Sequence, residues 1–160
     1  MILSSIIHSN TGLIHLVFSI IAMITGGLVI GMKKGTTLHK RIGYIYSVSM
    51  IGLLMTAFMI YYLFDAFGIF HYMAVVSTIT LIGGIVPAIL KKPQERWLSL
   101  HYSFMFWSVA GLYAAFISEV LTRMPEQSWT LFMVAMFVFF GIVNIFWFKY
   151  KKKWNEYYNL

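Results

Sequence analysis

Five long apolar runs follow one another along the chain, separated by short polar breaks. A helix needs roughly 20 apolar residues to cross about 30 Å of hydrocarbon. Runs at about 11–32, 40–63, 69–90, 98–121 and 129–148 have that length. Asn10 and Thr11 are candidate caps for the first helix, Gly35, Thr36 and Thr37 separate the first from the second, and Pro93 and Pro125 punctuate later connections. Pro87 is expected to kink or end the third helix. The opening MILSSIIHSN has neither a positive n-region nor a small-residue cleavage site, so it is expected to be retained, with its short apolar run at the interface. The pattern predicts an all-α integral membrane protein of five transmembrane helices, a single membrane domain over residues 1–160 with no stretch left for a water-soluble domain.

Composition agrees with the pattern: 60% of the 160 residues are hydrophobic and 11% charged, with a mean hydropathy of +0.79, far from a soluble domain. The net charge of +7 would point a soluble protein toward nucleic acid. Its distribution gives topology instead, and no nucleic-acid partner is expected. Lys33, Lys34, Lys40 and Arg41 follow the first run, Lys91, Lys92 and Arg96 the third, and Lys149, Lys151, Lys152 and Lys153 the fifth. Only Arg123 falls on the other side, near Asp65 and Glu126. Basic residues are retained in the cytoplasm, so a cell-membrane protein with its N-terminus outside and its C-terminus in the cytoplasm is predicted. The basic tail reads as a topology and lipid-headgroup signal, not as a binding site. Without cysteine, a metal would have to be held by His, carboxylate or Met.

Four of the five histidines stand near helix entry points. His15 and His71 open the first and third helices from outside; His39 and His101 open the second and fourth from the cytoplasm. In an up-down four-helix bundle, helices one and three are diagonal, as are two and four. The histidines then form two pairs at two depths, roughly 20–30 Å apart at 1.5 Å per residue. Opposed imidazoles fill the axial positions of a haem iron, so the layout predicts two haem b groups, His15 with His71 and His39 with His101. The His15 face carries Ser19, Ala22 and Gly26, that of His39 carries Gly43 and Tyr46, that of His71 carries Ala74 and Thr78, and that of His101 carries Ser108, Gly111, Ala115 and Ser118. Such small residues admit either close helix packing or a flat cofactor. Lys40, Arg41 and Lys34 flank the inner pair, as partners for haem propionates or an anionic or quinone-headgroup donor. His8 reads as a surface residue. The fifth run, whose only strongly polar group is Asn144, reads as a peripheral helix outside the four-helix core.

Glu119, five turns after His101, faces the interior at the depth of His15 and His71, where a carboxylate must be paired, solvated or protonated. Contact with either histidine, pairing with Arg123 and snorkelling to the headgroups are the open alternatives.

At KGTTLHKRIGYIYSVSM (residues 34–50) the chain resembles the bacterial membrane family called domain of unknown function 2306. Lys34, Gly35, Thr36, His39 and Gly43 carry the most specific segment; His15 early in the first span, His71 in GIFHYMAVVSTIT, His101 with Met105, and Arg123 continue the pattern. The likeness covers roughly residues 13–125 and excludes the fifth span. The basic run that the family places before the fourth-span His is here the more mixed KKPQERWLSLH. That family implies no activity. The histidine layout is separately similar to the ascorbate-reducible di-haem cytochromes b, which implies electron transfer, although spans and spacings are shorter here and no ascorbate-binding motif is evident.

Three functions are therefore in play. The first is a di-haem b-type membrane electron carrier, an oxidoreductase if an enzyme at all, with its donor and acceptor unidentified. The second is an outer-surface zinc-type site of His15, His71 and Glu119 with a water in the fourth position, capable of hydrolase-like chemistry. The third is a non-catalytic membrane scaffold or small-ligand carrier whose histidines only tie helices together. Each is compatible with a homo-oligomer in the bilayer.

Overall fold

A computed structural model describes residues 9–60, 66–124 and 128–158. His8, Asp65, Pro125 and Glu126, to which surface, topology or loop roles are assigned above, lie outside the described residues. The described residues form five helices, α1 (Asn10–Gly31), α2 (Thr37–Ala57), α3 (Ile69–Leu90), α4 (Trp97–Thr122) and α5 (Trp129–Tyr158). Four of these, α1, α3, α4 and α5, are long and apolar enough to cross a membrane. The chain is thus all-helical and compatible with membrane insertion. α2 falls outside that group because its first turn carries His39, Lys40 and Arg41 and its interior Ser47 and Ser49.

Local chemistry sets the boundaries. Ser9, rather than Asn10 or Thr11, caps α1, its Oγ accepting the Gly12 N–H at 3.1 Å. Thr36 caps α2 by accepting the His39 N–H at 3.1 Å, which satisfies one of the orphan donors of a first helical turn. Gly35, at φ +76, supplies the left-handed residue between α1 and α2. Pro87 does not end α3, which continues to Leu90. α5 runs ten residues past the expected end at 148, so the basic tail is helical.

α1 packs along α2 and α3 along α4, with smaller contacts between α2 and α3 and between α1 and α4, while α5 lies against α4. Between α1 and α4 sits a core of Ala22, Tyr46, Met50, Leu53, Leu81, Val109 and Leu112. The small residues of the helix faces serve close packing here. A Cβ at Gly26 would stand 2.9 Å from the Tyr46 ring, at Gly84 2.5 Å from Met105 Sδ, and at Gly52 2.5 Å from Phe18. Outward faces are apolar and exposed, including Ile24, Leu28, Ile79, Ile82, Phe137 and Ile145. In water such surface would be untenable; in lipid it is solvated.

Candidate functional site

The register of α2 against α4 decides where the inner histidines stand. Tyr46 and Ser108, both fully buried, share a hydrogen bond of 2.8 Å across the interior. Tyr46 lies seven positions after His39, and Ser108 seven after His101. Seven residues are close to two turns, so the same bond brings His39 and His101 to one depth on facing sides of two helices that run in the same direction.

Ring nitrogens can be assigned from their partners. His101 Nδ1 lies 2.8 Å from the Gly84 carbonyl oxygen. A carbonyl only accepts, so Nδ1 carries the proton and Nε2 keeps its lone pair. His39 is half-buried, and its Nδ1 is buried without a hydrogen-bond partner among the described residues. One turn further on, a Cβ at Gly43 would meet nothing within 4 Å. Room therefore remains beside His39, in contrast to the filled glycines deeper inside.

Lys34 joins this inner end. Its Nζ donates to the carbonyls of Val29 and, at 2.8 Å, of Ile30, closing the C-terminal end of α1, where a cation also meets the helix dipole favourably. It lies 5.2 Å from the centre of the Trp154 ring, and its charge reaches both His39 and His101. Burial lowers its pKa to about 8. Lys40 and Arg41, the other two flanking cations, are exposed.

The outer end is built differently. His15 Nδ1 lies 3.0 Å from Thr56 Oγ1. The Thr56 hydroxyl hydrogen is directed at its own helix, toward Gly52 and Leu53 carbonyls at 2.9 and 2.8 Å, so Thr56 accepts from His15 and again Nε2 keeps its lone pair. Glu119 and Arg123 both act electrostatically on the His15 ring. Of the alternatives for Glu119, the one observed directly is pairing with Arg123, at 2.7 Å on a half-exposed helix end. His71 is buried, 4% exposed, and stacked on Phe67 with ring centres 4.8 Å apart. Its Nδ1 accepts the Gly68 N–H at 3.1 Å, so in the neutral ring the proton is on Nε2. Among the described residues no three His, Asp or Glu side chains converge on a common metal position. Glu119 is turned to Arg123 and His71 Nδ1 to the start of its own helix.

Sequence reasoning passed over several residues that organise these sites. Thr56 and the Gly84 carbonyl orient two histidines, yet an isolated Thr or Gly in an apolar run carries no sign of it. Trp154 belongs to a buried aromatic group with Tyr102 and Phe106, and the Tyr102 hydroxyl donates to Asn155 Oδ1 at 2.6 Å. The fifth helix, expected to be peripheral, therefore touches the inner end through its extension. An alternation of Trp147, Tyr150 and Trp154 at helical spacing was the available signal.

No family model, no curated protein and no solved structure matches the chain.

Proposed function

We propose that the protein is a b-type haem membrane protein that carries electrons in the cell membrane, with His39 and His101 as the residues that would hold an inner haem. One observation carries the reading: the Tyr46–Ser108 bond ties α2 to α4 seven residues after His39 and seven after His101. The residues present fit the group. His101 donates its Nδ1 proton to a backbone carbonyl, the arrangement that orients nearly every metal-ligating histidine and raises its basicity. His39 Nδ1 is buried with no hydrogen-bond partner among the described residues, and the open side of Gly43 leaves space next to it. Lys34, with two of its protons given to α1 carbonyls, has a third for an anionic group such as a propionate.

Haem b, when bound, supplies the one-electron chemistry. The chain supplies two neutral imidazoles, orients one by a carbonyl, holds a cation beside them and excludes water with an apolar core. An outer centre on His15 and His71 belongs to the same reading. His15 is already oriented, its Nδ1–H donating to Thr56 Oγ1. His71 would first have to release the Gly68 N–H and move its own proton to Nδ1, which makes the outer centre the weaker of the two.

The fold reading is completed in the same terms. α2 runs antiparallel beside α1 from the Thr36 cap to the His15–Thr56 bond, so it traverses the same depth as its apolar neighbour. On this reading the chain crosses five times, with a core of α1 to α4, α5 joined to it through Trp154 and Asn155, the N-terminus outside and the basic C-terminus in the cytoplasm.

The test is an absorption spectrum of protein purified with haem available. Ligation by two imidazoles gives a Soret band and a dithionite-induced α-band. A colourless protein after haem supplementation, still monodisperse and helical, would falsify the proposal.

A further inference from the structure

We propose that the outward lysine face of the α5 extension is a binding site for the phosphate headgroup of an anionic phospholipid. α5 is 30 residues long, about 45 Å at 1.5 Å per residue, and so exceeds a hydrocarbon core of about 30 Å. The apolar stretch ends at Phe148 and four lysines follow within five residues. They emerge at the level where headgroups begin.

The opposite face of the extension is pinned, which fixes where those lysines point. Trp154 is 7% exposed, its ring centre 5.0 Å from that of Tyr102 and 5.3 Å from that of Tyr150, and Asn155 accepts from Tyr102. Lys151, itself exposed, lies over the Trp147 ring at 5.8 Å. Lys149, Lys152 and Lys153 are exposed as well. With Glu156 they follow a spacing of three, four and seven residues, one continuous helix face. Together with Phe146 and Tyr150 they line a groove of about 400 Å³.

Three lysines against one glutamate give the groove an excess of two positive charges. Its floor is aromatic, since Phe146 and Tyr150 stack with ring centres 6.3 Å apart. Below it the exposed Ile142, Ile145 and Phe148 continue the apolar surface. A diacyl phosphate matches both halves at once: the phosphodiester meets the ammonium groups and the acyl chains run along α5. Inorganic phosphate matches only the upper half. Neither haem nor the histidines enter this proposal, so it stands or falls independently of them.

The experiment is native mass spectrometry of the full chain, released from mixed micelles of phosphatidylcholine and phosphatidylglycerol. The wild-type protein is expected to retain phosphatidylglycerol over phosphatidylcholine by at least tenfold. Combined Lys149→Gln, Lys152→Gln and Lys153→Gln should lower that preference by about tenfold or more, because juxtamembrane lysines attract anionic headgroups. A control removing the same charge elsewhere, Lys33→Gln with Lys91→Gln and Lys92→Gln, should keep it, and 10 mM inorganic phosphate, an arbitrary challenge of about that strength, should not displace the lipid. Equal retention of the two lipids, equal loss in the control, or displacement by phosphate would each overturn the proposal. All these lysines are exposed, and circular dichroism of each variant checks that the helices persist.

Discussion

At the scale of single residues, Lys34 makes the inner end sensitive to pH. Its pKa is lowered by burial to about 8 from an ordinary 10.5. Between those values the unfolded chain holds a proton there that the folded chain has released. Stability contributed by this group therefore rises with pH from about 8 to about 10.5, and below 8 the charged ammonium carries its full burial penalty. Because Lys34 faces the Trp154 ring, deprotonation also removes a cation–π contact. The Trp154 fluorescence, taken as the difference between wild type and Trp154→Phe, should change with a midpoint near pH 8. In Lys34→Met that transition should vanish; its persistence would separate Trp154 from Lys34. Tyr46→Phe tests the bond that sets the register: Ser108 would be left buried without its partner, at a cost of roughly 1–3 kcal/mol, visible as a lower midpoint of thermal unfolding in detergent. An unchanged midpoint would mean that the bond contributes nothing.

At the scale of elements, packing of glycine against aromatic rings sets how closely α1 approaches α2 and α4. Gly26 meets the Tyr46 ring and Val109, so Gly26→Val should destabilise by about 1–3 kcal/mol through overpacking, whereas Gly31→Val, where an added Cβ meets nothing within 4 Å, should cost only helix-propensity differences. The same unfolding measurement compares the two. For the α5 extension, Trp154→Ala should expose Lys149 to Lys153 to trypsin at least tenfold faster, the change that about 1.4 kcal/mol of lost docking would give. An unchanged cleavage rate would show that Trp154 does not hold the extension. Apolar periodicity made the helices legible, because runs of about 20 such residues have few other uses. The end of α5 was not legible, since four lysines after an apolar run mark a membrane surface whether or not the helix continues. The cap of α1 was misplaced by one residue for a similar reason: Ser9, Asn10 and Thr11 are all good caps, and only the backbone geometry chooses Ser9.

At the scale of the whole molecule, the two ends differ in readiness. His39 and His101 combine a shared register, an oriented His101, a His39 nitrogen with no partner among the described residues and a nearby cation. The outer pair has one oriented histidine and one engaged at the start of its own helix. Thr56, which holds His15, lies 17 positions beyond His39 on α2, roughly 25 Å at 1.5 Å per residue, and the interval is filled by Tyr46, Met50 and Val109. The histidines were visible in the sequence as entry-point residues on alternating helices. Their tautomers were not, because those depend on Thr56, Gly84 and Gly68 from across a helix pair or from a helix start. Nor was the fate of Glu119 decidable, since a carboxylate at that depth has several partners within reach and the observed one is Arg123, one turn away.

The difference absorption spectrum, reduced minus oxidised, of haem-supplemented His39→Ala, His101→Ala and His15→Ala proteins tests the inner pairing most directly. Ligation across α2 and α4 requires that His39→Ala and His101→Ala each lose the same α-band component while His15→Ala retains it. A common loss in His39→Ala and His15→Ala, with His101→Ala unaffected, would contradict it.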